Sequence, residues 1–387
     1  MSRLATVIRP DIEPGRRVIA VSDIHGNLAY LKGLLKKVGF SRDDVLILVG
    51  DLLEKGQDSL ATLRFVLDLQ KEHTVYSLCG NCDDIDRMFL DWEVDEGASF
   101  ARRANTRIIS AAGAAEALWP VLECWGNRSV LIQMGLELGH PMPRRAADLP
   151  ALRAALLDYF PRETAFLRTM PQILEAGRYI FVHGGIPRED RLDELDAYSC
   201  LKNDDFLGQG HSFQKWVVVG HWPVTLYDPS IQCSNPLVER DRHIISMDGG
   251  CVLKVDGQLN ALIIPDITRD RFQFASYDGL PRAHALDGQD ASYNPINIRW
   301  SDSEVLPLAE NGDCLFVRHP SSGRTLWVPR DFVSRWRDGK LHTEDATDYS
   351  LPVSPGDELA LVRETQRGVL AKKDGVTGWY HGRFERK

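Results

Sequence analysis

The sequence lacks a long apolar run, an excess of basic charge and a regular cysteine pattern, and each absence closes off a class of protein. No apolar stretch approaches the roughly 18 residues that cross a bilayer; V-L-I-L-V at 45–49 is a short one. The opening residues M-S-R-L-A-T-V-I-R-P-D hold no apolar core of signal-peptide length. The expectation is a soluble cytoplasmic protein with no membrane partner. Seven cysteines, odd in number and irregularly spaced from Cys79 to Cys314, argue against a disulfide framework. Cys79 and Cys82 form one C-x-x-C, with no second pair to complete a zinc site. Net charge is −9, and residues 296–387 carry 14 basic and 14 acidic residues, so the whole excess lies before them. An acidic body argues against nucleic acid as a partner, because phosphate backbones are held by basic side chains. It leaves open a small phosphate substrate held by metal ions.

What is present describes an ordinary globular protein: 387 residues, 43% hydrophobic and 26% charged. At roughly 150 residues per domain this length predicts two or three domains. Val18–Val21, Val45–Val49 and Thr74–Leu78 read as buried strands. Asn27–Lys37 and Ser59–Leu69 carry apolar residues at helical spacing between them. Such alternation predicts a layered α/β fold with parallel pairing. Residues 84–175 read as mainly helical, with Ala-rich Ile108–Leu118 and Leu152–Leu157. Strand runs resume at Tyr179–Val182, Val217–Val219, Ile244–Met247 and Leu259–Ile264, whose short connections predict a second, more antiparallel sheet. The polar, Pro- and Gly-containing stretch 281–296 reads as a linker before small β modules.

Chemistry-bearing residues fall directly after these strand runs. Asp23-Ile24-His25-Gly26-Asn27 follows the first, Gly50-Asp51 the second and Gly80-Asn81-Cys82-Asp83 the third. His183-Gly184-Gly185 and Gly220-His221 follow later ones. In layered α/β sheets, functional groups gather beyond the carboxyl ends of strands. Carboxylate oxygen, imidazole nitrogen and amide oxygen together suit Mn, Fe, Zn or similar divalent ions. Each piece alone is a common turn or cap; five in register after five strands are not. The histidines at 73, 140, 211, 243, 284, 319, 342 and 381 lack this context and are read as structural.

The motifs S-D-I-H-G-N at 22–27, G-D-L-L-E-K-G-Q-D-S at 50–59, G-N-C-D at 80–83, F-V-H-G-G-I-P at 181–187, V-V-V-G-H-W-P-V at 217–224 and I-S-M-D-G-G-C-V-L-K-V-D-G-Q-L-N-A-L at 245–262 carry a family resemblance. The chain resembles the calcineurin-like metallophosphoesterase superfamily, in the branch of serine/threonine protein phosphatases and diadenosine tetraphosphate hydrolases. The resemblance spans about residues 17–265, with 84–175 as an enlarged helical insertion. It implies two packed mixed β-sheets flanked by helices, in a catalytic domain over 1–285, followed by a small all-β domain over 296–387. It implies two divalent ions, Mn or Fe, with Zn or Ni as alternatives. Asp23 and His25 would bind the first, Asp51 would bridge both, and Asn81, His183 and His221 would bind the second. Hydroxide bridging the ions would attack phosphorus in line, with no phosphoenzyme. The substrate would be a phosphoprotein or a nucleotide-like phosphate. A phosphodiesterase, or a nucleotide or dinucleotide hydrolase, on the same site is the alternative, and a non-catalytic metal-binding scaffold a second.

The chain departs from the branch at three matched positions. Cys82 stands where the family's proton-donating His is usual, and a thiol of pKa about 8.5 suits that task poorly. Glu54 stands where an Asp orients that His. Lys55 replaces the phosphate-binding Arg and offers a point charge without a fork. Asn81 and Lys55 would face substrate, while Cys82, Glu54 and Asp51 are the catalytic candidates. Trp222 also follows His221 where Thr is usual. These changes predict a preference for activated leaving groups over alkyl phosphates. At the C-terminus, Leu351–Leu359, Gly375–Trp379 and Leu326–Val333 resemble Src-homology-3-like barrels. Trp327, Trp336, Trp379 and Tyr380 are either a groove for a protein or peptide, a dimer contact, or core.

Overall fold

Strands that read as continuous apolar runs are buried on both faces, and this sets the layering. In a computed structural model, which describes residues 3–92 and 111–387, the two sheets begin with β1 (Val7–Ile8), β2 (Val18–Val21), β3 (Val45–Val49), β4 (Thr74–Leu78), β5 (Ile173–Ala176), β6 (Tyr179–Val182) and β7 (Trp216–Val219), of which β2, β3, β6 and β7 are buried throughout. Further along come β8 (Gln232–Cys233), β9 (Leu237–Glu239), β10 (Ile244–Ser246), β11 (Leu259–Ile264) and β12 (Gln273–Tyr277). One sheet has the order β12-β11-β2-β3-β4, the other β1-β5-β6-β7-β10-β9. Successive side chains of a strand point to opposite faces. Val18, Ala20, Val45 and Ile47 therefore meet Phe181, Val218 and Ile245 between the sheets. Ile19, Val21, Leu46 and Leu48 meet the helices instead.

The parallel trio β2, β3 and β4 matches the expectation. The second sheet does not: β6, β7 and β10 run parallel, with antiparallel β5 and β9 beside them. Leu259–Ile264 also leaves that sheet and returns to the first, antiparallel to β2. Short loops mislead here because non-adjacent strands pair, a register that only packing selects.

Helices cover the first sheet: α1 (Leu28–Lys37), α2 (Ser59–Glu72) and α3 (Asn81–Asp91). Asn27 caps α1 by accepting from the Tyr30 amide (3.2 Å). The insertion is helical through α4 (Ala111–Trp125), α5 (Val130–Glu137), α6 (Leu149–Tyr159) and α7 (Pro161–Thr169); of the expected insertion over 84–175, residues 93–110, with the start of Ile108–Leu118, lie outside the described residues. Leu118, Leu131, Leu152 and Leu156 share a core with Phe89 and Leu63. No helix among the described residues is long and apolar enough to cross a membrane.

The chain forms two units. One comprises Met1–Trp222, Pro236–Val252 and Leu259–Tyr277, the other Pro223–Asn235, Leu253–Gln258 and Asp278–Lys387. The second is mostly strands. β13 (Arg282–Ala285), β14 (Asn297–Ile298), β15 (Leu306–Asn311), β16 (Cys314–Arg318), β17 (Thr325–Pro329), β18 (Val333–Arg335), β19 (Leu341–Thr343) and β20 (Ala346–Thr347) precede β21 (Glu358–Thr365), β22 (Gly368–Lys373), β23 (Val376–Tyr380) and β24 (Phe384–Arg386). Its largest sheet has the order β24-β13-β21-β22-β23-β8. Residues 281–296 are thus not a simple linker: β13 lies inside that sheet, paired on both edges, and polar composition hid it. Small cores result around Leu359 and Tyr380, around Val317 and Val328, and around Phe332, Leu370 and Trp379. Tyr380 is fully buried and donates its hydroxyl to Asp287 O and Arg383 O. Trp379 is buried and donates to Thr347 O (2.9 Å). Trp336 stacks on His342. Trp327, under the Arg367 guanidinium, lines a cavity of about 240 Å³ with Phe316 and His381.

Candidate metal centre

Backbone hydrogen bonds stitch the strand-end loops together before any side chain contributes. The Asp23 N–H donates to Gly50 O (3.1 Å), His25 N–H to Asp51 O (2.9 Å) and Gly26 N–H to Leu52 O (2.9 Å). The Gly220 N–H donates to His183 O (2.9 Å). The loops after β2 and β3, and those after β6 and β7, are thereby held in pairs. Asp23, His25, Asp51 and His221 all sit in the left-handed region, with φ of 54°, 49°, 47° and 68°. Non-glycine residues there cost on the order of 1–3 kcal/mol each, and such strain gathers at functional sites. Close approach also demands glycine at two points. A Cβ on Gly80 would collide with the Asp51 amide and carboxylate, and one on Gly220 with the Asp23 carboxylate.

The side chains converge on Asp51. Its Oδ2 lies 3.6 Å from His25 Nε2, and its Oδ1 3.4 Å from His183 Nε2. The Cys82 amide holds Oδ1 at 2.8 Å. His183 is oriented by Nδ1 against Val49 O (2.9 Å), and its Nε2 faces the Asn81 Oδ1 at 3.3 Å. The His183 and His221 rings stand 5.3 Å apart. The His221 N–H donates to both Asp23 oxygens, at 3.3 and 3.1 Å. Asp23 joins Asp51 and His183 in one group of donor atoms within 4.8 Å; His25, Asp51 and Cys82 form another. All six expected ligands are therefore brought into one neighbourhood. Asp23 reaches toward the His183 side, a placement the D-x-H spacing does not convey.

The electrostatics fit a cation. Burial, with Asp248 and Asp51 nearby, pushes the Asp23 carboxyl well above its usual range. Burial would raise Asp51 too, but His183, His25 and Lys55 outweigh it and hold its carboxylate well below that range. Burial lowers His25 to about 3 and His183 to about 4, so both imidazoles are neutral at physiological pH, the form that ligates metal. His25 Nε2 finds no hydrogen-bond partner among the described residues, although it is buried. Buried polar atoms are ordinarily paired; a carboxylate cluster with a bare imidazole nitrogen is a donor set for a divalent ion.

The three departures from the family pattern take definite positions. Glu54 makes no hydrogen bond to Cys82 among the described residues. It accepts instead from the Val130 N–H (2.7 Å) and Ser129 hydroxyl (3.2 Å), capping α5 of the insertion. The extra methylene of Glu over Asp supplies the reach. Lys55 Nζ stands 3.9 Å from Asp51 Oδ2. Cys82 is buried, and burial and Asp51 push its thiol well above its usual value. Two supporting residues were not singled out from the sequence. Asp204, from a loop with no motif, accepts from His221 Nε2 at 2.9 Å. Asp83 collects the amides of Gly80, Leu52 and Leu53 at 2.9, 3.3 and 3.1 Å, joining the loops after β3 and β4; its place in G-N-C-D was the only hint.

The chain is similar to known phosphoesterases. The family described as calcineurin-like phosphoesterase matches residues 16–246. A bis(5'-nucleosyl)-tetraphosphatase PrpE (asymmetrical) of Oceanobacillus iheyensis is 31% identical over 264 residues, covering 61% of this chain and 84% of that protein. Shewanella-like protein phosphatase 2 of Arabidopsis thaliana is 26% identical over 209 residues, 47% of this chain; the chain thus spans half the length of that relative. A crystal structure of a putative diadenosine tetraphosphatase overlaps with a TM-score of 0.43 at 19% identity, over 71% of this chain and 99% of that one.

Proposed function

Because the chain belongs to the calcineurin-like phosphoesterase family and is a hydrolase, we propose that it cleaves phosphoesters with two divalent ions, manganese or iron, sharing Asp51. Asp23 and His25 would hold one ion; Asn81, His183 and His221 the other. Ions so held lower the pKa of bound water and neutralise phosphate charge. The chain's own groups do the rest. Lys55, its ammonium raised above its ordinary pKa by Cys82 and Asp51 against the pull of burial, binds a phosphate oxygen as a point charge. Asp204 holds the His221 ring, and Asp83 fixes the loops that carry Asp51 and Asn81. The observation that carries this reading is Asp51, whose two oxygens face two different neutral imidazoles.

Leaving-group protonation is the weak step, because Cys82 holds its proton tightly and Glu54 is committed to α5. Good leaving groups need no proton, so aryl phosphates, diesters of that kind and phosphoanhydrides should react faster than phosphoserine. This chemistry favours a nucleotide-like substrate over a phosphoprotein, and the 31% identical relative bears a dinucleoside tetraphosphatase name. The test uses metal-stripped full-length protein refilled with manganese, assayed on a mono-aryl phosphate, a bis-aryl phosphate, diadenosine tetraphosphate and a phosphoserine peptide, beside Asp51→Asn. Metal-dependent turnover lost in the variant supports the two-ion reading. Faster cleavage of phosphoserine than of the activated substrates would refute the leaving-group account.

A further inference from the structure

Cys82 occupies a proton donor's position without a proton donor's surroundings. Its Sγ, a His25 ring nitrogen and an Asp51 oxygen lie within 4.8 Å of one another, all buried. Each is oriented from elsewhere. The Cys82 N–H is fixed on Asp51 Oδ1 at 2.8 Å. His25 turns Nδ1 to Leu53 O at 3.4 Å, which leaves Nε2 bare. The sulfur itself is faced by donors. Asn81 Nδ2 approaches it at 3.5 Å, and the Lys55 ammonium stands on the same side, 3.9 Å from Asp51 Oδ2. Asn81 thus divides its amide: the oxygen faces His183 Nε2 at 3.3 Å, the nitrogen faces Cys82. Outer N–H partners of this kind orient metal ligands.

We propose that Cys82 is a metal ligand, the sulfur member of the centre formed by His25 and Asp51. The proposal rests on the two-ion reading above. Ligation replaces the S–H bond with a sulfur–metal bond and releases that proton to solvent. A sulfur, nitrogen and oxygen donor set prefers zinc, ferrous iron or cobalt over manganese or magnesium, while the His183 and Asn81 side keeps only nitrogen and oxygen donors. The two centres would then differ in metal preference. Cys79 cannot take this role, because it faces Met170 and Leu201 in a separate cluster. No disulfide competes, since Cys79 and Cys82 are both free.

The metal-stripped full chain is loaded with Co²⁺, and bound metal and near-ultraviolet absorption are measured together. Two equivalents with a sulfur-to-cobalt charge-transfer band are expected. Cys82→Ser should lose the band and weaken one equivalent by about 10–100-fold, taking the loss of an outer partner as a lower guide; Cys79→Ser should keep both. Cadmium-113 NMR of the unaltered protein gives a reading independent of any variant: one resonance in the sulfur-ligated range and one in the nitrogen/oxygen range. Two bound cobalt ions without the band, a band that survives Cys82→Ser, or two nitrogen/oxygen cadmium resonances would each overturn the assignment while leaving the two-ion reading intact. No bound metal in the unaltered protein would overturn both.

Discussion

Both units bury charged groups, and they treat them in opposite ways. In the all-β unit two buried lysines meet carboxylates, and a buried carboxylate is held by neutral donors. Lys254 Nζ sits 2.8 Å from Asp345 Oδ1, both nearly inaccessible. Lys372 lies 3.5 Å from Asp278 and 3.0 Å from the Gln258 oxygen. Asp256 accepts from Thr377 and Gln232. In the catalytic unit, Asp23 and Asp51 are buried beside Asp248, and the nearest bases are neutral histidines. Desolvating charge costs several kcal/mol, and Lys55, 3.9 Å from Asp51 Oδ2, does not match three carboxylates, so the cluster suits a bound cation. Pairing of that kind marks architecture; a local excess of buried carboxylates marks a site.

Substitutions that exchange these two behaviours sharpen the contrast. Asp51→Asn should reduce turnover by about 1,000-fold, since a metal ion supplies several kcal/mol of charge stabilisation. Its bound metal should fall while the melting temperature of the metal-free protein moves little. Retained metal with full activity would break the comparison at its centre. Lys254→Met should do the reverse. Leaving Asp345 buried and unpaired costs about 3–5 kcal/mol, read by denaturant unfolding, while metal per folded molecule is kept. Adding Asp345→Asn, which still accepts from the Trp300 amide, should recover at least half of the loss.

The Glu54 carboxyl is the intermediate case, buried and hydrogen-bonded yet lifted to about 8 by burial. An exposed glutamic acid titrates near about 4.3. Between these values the folded chain holds a proton that the unfolded chain has lost, so stability falls as pH rises from about 4.3 through about 8. Glu54→Gln keeps the acceptor for Val130 and removes the titration. Its thermal unfolding should depend less on pH across that window and overtake the wild type at the alkaline end. Identical pH profiles would place the fall elsewhere. The smallest effect is expected at Asp204, half exposed on the outer side of His221. Asp204→Ala should weaken metal binding by about tenfold, measured by competition with a chelator.

Much of the site was legible because ligand type and strand end coincide. Asp23, His25, Asp51, Asn81, His183 and His221 each follow an apolar run that became a strand, and the parallel trio β2, β3 and β4 followed from alternation alone. Pairing that skips along the chain was not legible. β11 reads like any other apolar strand, yet it returns to β2 across most of the catalytic unit. β13 reads as polar linker and is a paired inner strand. Glu54 could be aligned with an orienting carboxylate, but its length sends it to Val130, a residue 76 positions away.

The sequence by itself determined the inventory: which residues could ligate a metal, which strand each follows, and that the sheets are covered on both faces. These are local properties, set by side-chain chemistry and by hydrophobic period over a few residues. Only the tertiary structure decided how those residues are shared out. It gave Asp51 one oxygen for each histidine, turned the Asn81 nitrogen toward Cys82, and brought Asp204 to His221 and Glu54 to the insertion. Such choices depend on which loops meet in space, and they are fixed by packing and by backbone hydrogen bonds between segments far apart in the chain.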